Sequence, residues 1–267
     1  MTSKNNFLTK MEAPNPIQYA QLAMLSIYIL LAWFYLRILR PEKFYYVIVI
    51  SFVIDFLFNC LPQRRTPSGK IKFPITGFVV GCALSLLIET SSLWYYALAA
   101  VIAVSSKTLV QVNNKHVFNP GNLGVVAIVV LTGGAATVNV AQWSGATWIL
   151  VAMFICGSVV AYLAHRLTIS LAYLFSFFTL SSLYSFAKGL PPFFMPGSLL
   201  GISTALFTFH MITDPVTSPE SKQKQVLMGF LIAAVDLALR ANKVLYAQLI
   251  ALIIVLAIFA LFKKESC

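Results

Sequence analysis

Charges, prolines and polar clusters cut the chain into ten apolar segments, near 17–39, 43–61, 74–89, 92–111, 121–139, 145–164, 167–187, 194–212, 225–240 and 243–262. A bilayer core of ~30 Å takes about 20 apolar residues per helix, with a range of ~17–25. Hydrophobic residues are 59% of the chain and charged residues 10%, whereas a soluble globular domain is roughly 25% charged. No polar stretch is long enough to fold alone. The expectation is an all-α membrane protein: a single integral membrane domain over residues 1–267, about ten transmembrane helices, and a short polar tail over 1–16. The tail precedes a span too long for a signal-peptide core and has no cleavage pattern, so the first span is expected to stay in the mature protein.

The net charge of +11 would point to nucleic acid in a soluble protein. Here no basic cluster alternates with aromatics as nucleic-acid binders require, and the charge is read as marking cytoplasmic loops and anionic headgroups. With ten spans, one side holds thirteen Lys and Arg, among them Arg64, Arg65, Lys107, Lys115 and Lys222, and the other side holds six. The richer side is expected to be cytoplasmic, with both termini there, in the cell (inner) membrane. Ten spans divide into two sets of five, over about 17–139 and 145–262. Five is odd, so such halves run in opposite senses, the arrangement of inverted repeats with a ligand site where they meet.

Two polar islands interrupt the apolar pattern. The first, "NNKHVFNPGN" at 113–122, ends where Pro120 forces Asn119 out of the helical region and removes a backbone N–H. Asn119 is a candidate cap for the next helix, and Gly121 lets another group approach its backbone. Exposed N–H groups at a helix start suit an anion, and Lys115 and His116 add positive charge. The plainer reading is a capped turn. The second island, "HMITDPVTSPESKQKQ" at 210–225, places Asp214 before a proline. Asp214 reads as a turn residue, or as an acceptor for a bound ring system or a partner for Lys115.

Asp55 and Asp236 are the acids inside apolar segments, and a carboxylate at membrane depth is a functional candidate by default. Arg240 stands four residues after Asp236, the spacing of an ion pair on one helix face. Asp55 has no local partner. Three histidines, at 116, 165 and 210, are too few for a haem or metal case, and the four cysteines Cys60, Cys82, Cys156 and Cys267 form no ligand spacing.

The islands "KTLVQVNNKHVFNPGNLGVVAIVVLTG" and "FHMITDPVTSPESKQKQVLMGFLIAAV", in this order and among ten spans, resemble the RnfD/NqrB family: RnfD is a membrane component of Rnf electron-transport complexes, and NqrB a membrane component of sodium-pumping NADH:quinone reductase. The resemblance runs from about 40 to 262 and is nearest to the short, stand-alone UnbU-like branch found beside enediyne biosynthesis genes. It implies two inverted five-helix halves of urea-channel-like architecture, bound flavin (FMN or riboflavin), and electron transfer with redox partner proteins or quinone. Flavinylated relatives carry FMN on the Thr of an Asp-x-x-Ser/Thr-Gly-Ala-Thr motif. Ser144-Gly145-Ala146-Thr147 fits the end of that motif, but Ala141 occupies its acidic position. The expectation is therefore a flavin held without a covalent bond, near Lys115, His116, Asn119, Gly121 and Asp214, with Thr147 as the alternative covalent site. A small-solute channel or carrier, and a non-redox biosynthetic accessory, are the competing functions.

Overall fold

The computed structural model describes residues 11–12, 16–36, 41–61, 71–138 and 147–265. These form an all-α bundle of ten helices: α1 (Pro16–Leu36), α2 (Pro41–Cys60), α3 (Ile75–Leu87), α4 (Leu93–Leu109), α5 (Pro120–Leu131), α6 (Thr147–Leu163), α7 (Leu167–Ala187), α8 (Ile202–Leu206), α9 (Lys222–Ala241) and α10 (Ala247–Glu265). A 3-10 turn, Pro196–Leu200, leads into α8, and a π-helical turn, Phe207–Met211, continues it. Six two-residue strands form three short pairs: β1 (Met11–Glu12) with β2 (Ile71–Lys72), β3 (Ile88–Glu89) with β6 (Thr137–Val138), and β4 (Gln111–Val112) with β5 (Lys115–His116).

Several helices are shorter than the apolar segments they occupy, α3, α5 and α8 most of all in proportion, whereas α7 matches its segment and α2 and α9 run slightly longer than theirs. Among the described residues, two stretches, Glu42–Cys60 in α2 and Leu167–Ala187 in α7, are long and apolar enough to cross a membrane. The segments near 74–89 and 121–139 end in extended residues, because Ile88 and Val138 pair across β3 and β6. The segment near 194–212 spends its first turn as the 3-10 helix after Pro196. An apolar run does not distinguish helical from extended backbone, and these termini satisfy their backbone groups by pairing instead of by prolonging a helix.

Side chains are sorted inside out. On α2, Lys43, Val47, Ser51 and Asp55 are buried at four-residue spacing, while Tyr45, Val49, Val53 and Leu57 are exposed. On α7, Ser170, Tyr173, Ser181 and Ser185 face inward, and Leu171, Phe175, Phe178 and Phe186 face outward. Phe175 is 75% exposed and Phe186 88%. The buried stripe supplies small and polar groups for close helix contact, and the outer stripe is what a soluble protein would bury.

Small residues set the closest approaches. A Cβ at Gly81 would stand 2.7 Å from Ile48 Cα, and one at Gly124 would stand 2.7 Å from Ala103 Cβ, so α3 lies on α2 and α5 on α4 backbone to backbone. In the N-terminal half, α1 packs on α3, α2 on α3 and α4, and α4 on α5; in the C-terminal half, α6 packs on α8, α7 on α9, and α9 on α10. The segment Ile202–Thr213 is buried throughout, as expected of a helix surrounded by others.

Both polar islands reach one end of the bundle. There the starts of α1, α3 and α5 meet the end of α4 and the residues after the π turn. Arg166, just beyond α6, donates through Nε to Ser218 Oγ at 2.8 Å, which brings the end of α6 and the start of α7 to the same end. The far end gathers Val138, Gly201, Arg240 and Gln248.

Candidate functional site

The first island is a hairpin followed by a capped helix. Asn113 and Asn114 have φ of 52° and 59°, the left-handed pair of a two-residue hairpin turn, a conformation Asn tolerates. The turn joins β4 to β5, with Gln111 opposite His116 and Val112 opposite Lys115. Asn119 then caps α5: its Oδ1 accepts from Asn122 N at 3.0 Å, and Pro120 occupies the first helical position. The second island closes by its own bonds, with Asp214 Oδ1 accepting from Val216 N at 3.1 Å and Ser218 Oγ donating to Asp214 O at 2.7 Å.

The two islands touch. His116 Nε2 lies 3.1 Å from Asp214 Oδ2, a contact between residues 98 apart in sequence. It borders a cavity of about 190 Å³. Leu25, Val79, Val80 and Met211 give the cavity apolar walls, and Asn119, Gly121 and His210 also line it. His210 belongs to the π-helical turn, a local irregularity common at functional sites. Lys107 adds a cation to the lining. Its Nζ donates to Asp55 Oδ1 at 2.9 Å, while Gly77 N donates to Asp55 Oδ2 at 2.9 Å. The carboxylate within α2 thus has a partner on α4 and another at the start of α3, although none is near in sequence.

No family model matches the chain, and no curated protein matches it.

Of the residues singled out from the sequence, His116, Asn119, Gly121 and Asp214 line this one cavity. Lys115 is exposed and lines a smaller neighbouring recess with Val117, Thr217 and Phe259. The partner of Asp214 is His116 and not Lys115, because successive strand residues point to opposite faces. Thr147 is the exposed first residue of α6. It stands at the helix end opposite Arg166, about 25 Å away along 17 residues at ~1.5 Å each. Residues 141 and 144–146 lie outside the described residues.

Asp236 makes the ion pair that its spacing predicts, with Arg240 Nε donating to Oδ1 at 2.8 Å. Tyr173 Oη also donates to Asp236 Oδ2 at 2.8 Å, and Arg240 reaches Gln248 Oε1 at 3.1 Å. This network is near the far end, beside a second cavity of about 480 Å³ lined by Gly201, Thr204, Arg240, Tyr246 and Gln248. It ties α7, α9 and α10 together. The site residues that sequence reasoning leaves unassigned are Lys107 and His210. Nothing local flags Lys107, whereas His210 opens the second polar island, four residues before Asp214.

Proposed function

We propose that the chain is an integral membrane electron-transport protein of the RnfD/NqrB type, with ten crossings in two inverted five-helix halves. The island-end cavity holds the ring system of a flavin, riboflavin or FMN, without a covalent bond. The observation that carries this reading is the meeting of two distant islands at one cavity, where His116 and Asp214 stand 3.1 Å apart. The membrane reading draws on the exposed apolar stripes of α2 and α7 and on the buried polar stripes behind them.

The residues fit such a ligand. A planar heterocycle needs flat apolar walls and a few polar groups at its edge. Leu25, Val79, Val80 and Met211 supply the first, and His116, Asn119, Asp214 and His210 the second. The cavity is below the ~300–1,000 Å³ of pockets that enclose a whole drug-sized ligand, so it suits a ring end and not an enclosed dinucleotide. A bound flavin would supply one- and two-electron chemistry, while the protein sets its position and electrostatics. Asp214 fixes the His116 ring by their mutual hydrogen bond. Lys107 is fixed at the wall by its ion pair with Asp55. A group attached at Thr147 would sit at the other end of α6, away from these residues.

A test is direct. Purified in detergent and mixed with riboflavin or FMN, the protein is expected to retain flavin absorption after gel filtration. It is expected to give no fluorescent band on a denaturing gel. Asp214→Ala releases His116 and is expected to weaken binding about tenfold, a loss of ~1.4 kcal/mol, while Thr147→Ala leaves binding unchanged. Absence of flavin uptake by the wild-type protein would refute the proposal.

A small-solute carrier is the second reading, favoured by one observation. Three of the helix pairings among α1–α5 recur among α6–α10: α2 with α4 and α7 with α9, α4 with α5 and α9 with α10, α1 with α3 and α6 with α8. Cavities at opposite ends then occupy equivalent places, with Lys107 near one and Arg240 near the other. Redox-independent flux into liposomes would favour that reading over electron transfer.

A further inference from the structure

The polar side chains around the island-end cavity mostly answer one another. Lys107 is bound by Asp55, His116 by Asp214, and the Asn119 carbonyl oxygen by Asn122 N. His210 differs. It lines the same cavity, is 9% exposed, and its Nε2 has no hydrogen-bond partner among the described residues. A buried polar atom without a partner costs free energy that an apolar side chain of the same shape would not. Packing does not call for the nitrogen. The ring meets Tyr28 edge-on, with centroids 6.1 Å apart, and Phe would make that contact equally. Tyr28 Oη is already committed to Met153 O at 2.9 Å.

The π-helical turn adds a second argument. It spans Phe207–Met211, and Ile212 N closes it on Phe207 O at 3.1 Å. The wide turn places His210 and Met211 on the cavity, while Phe207 and Phe209 pack in the interior.

We infer that His210 is a ligand-contacting, specificity-determining residue of this cavity: its ring lines the wall, and a turn about Cβ–Cγ brings Nε2, which protein atoms otherwise cover, to the polar edge of a planar nitrogen heterocycle of the flavin class. The inference rests on the flavin reading above and adds a residue to it. Its sign is definite. A site built to hydrogen-bond its ligand discriminates strongly, because a mismatch leaves a buried group unpaired on both sides. His210 thus excludes purely hydrocarbon occupants, such as an acyl chain, from the same apolar walls.

The experiment uses full-length protein in detergent and titrates riboflavin by fluorescence quenching. His210→Phe keeps ring size and the Tyr28 contact while removing the nitrogen. The expected result is a melting temperature equal to or above that of wild type, with riboflavin affinity reduced about tenfold. Equal affinity in wild type and H210F would overturn the inference and leave the flavin reading standing. Failure of the wild type to bind riboflavin would overturn both. If H210F does not fold, the wild type still decides the matter. With three histidines in the chain, 15N-histidine labelling isolates His210, using H116Q and H165Q for assignment. A riboflavin-dependent shift of its Nε2 resonance supports the contact, and an unmoved resonance refutes it.

Discussion

Arg240→Leu is expected to lower the stability of the bundle by about 3–5 kcal/mol, the cost of stripping the partner from a buried charge. Asp236 is 0% exposed, and Arg240 gives it two of its three side-chain hydrogen bonds, at 2.8 and 3.4 Å. The third comes from Tyr173. The guanidinium also lies 5.2 Å from the centre of the Phe177 ring and bonds Gln248 on α10. Loss of Arg240 therefore leaves an unpaired carboxylate between α7 and α9 and removes the Arg240–Gln248 hydrogen bond between α9 and α10. Thermal unfolding in detergent, followed by the loss of monodisperse protein on gel filtration, measures the effect. Arg240→Leu combined with Asp236→Leu removes both charges and is expected to recover most of the lost stability. A double variant no better than the single one would show that the ion pair is not the source of the loss.

Gly229→Val should be comparably damaging for a steric reason. A Cβ at Gly229 would lie 2.8 Å from Ala172 Cβ and Ile169 O, and 2.9 Å from Tyr173 N. Two of these atoms are backbone, so no side-chain rotation relieves the clash, and α9 must move off α7. Overpacking of this kind costs about 1–3 kcal/mol, and more where backbone blocks the relaxation. The shift would also pull Asp236 from Tyr173, which lies on the facing helix. Gly197→Ala is the control, since nothing lies within 4 Å of a Cβ there; its melting temperature is expected to match the wild type. Equal stability of G229V and G197A would contradict the packing described for α7 and α9.

Local signals are legible in the sequence. The Asn119 cap with Pro120 behind it has a fixed chemical grammar, and the Asp236–Arg240 pair follows from helical spacing alone. The ten-helix all-α architecture follows from the apolar segments. Where those segments stop being helical does not, because Ile88 and Val138 are as apolar as the turns before them and their pairing is tertiary. Lys107 and Asp55 are 52 residues apart, so only the packing of α2 on α4 reveals their bond. The choice of His116 over Lys115 becomes legible once "VNNK" is seen as a hairpin turn, since adjacent strand residues face opposite ways. His210 is within reach only as the first residue of the second polar island. Its unpaired nitrogen can be recognised only with its surroundings in place.

The proposed redox site requires that both polar islands open on one membrane face and that the Thr147 end of α6 open on the other. Single cysteines at Lys115, Val216 and Thr147, all exposed positions, in a chain whose four native cysteines are replaced by alanine, test this directly in oriented vesicles with a membrane-impermeant maleimide. Positions 115 and 216 are expected to label from the cytoplasmic side and position 147 from the opposite side. Labelling of 115 and 216 from opposite faces, or of 147 from the same face as 115, would contradict the account.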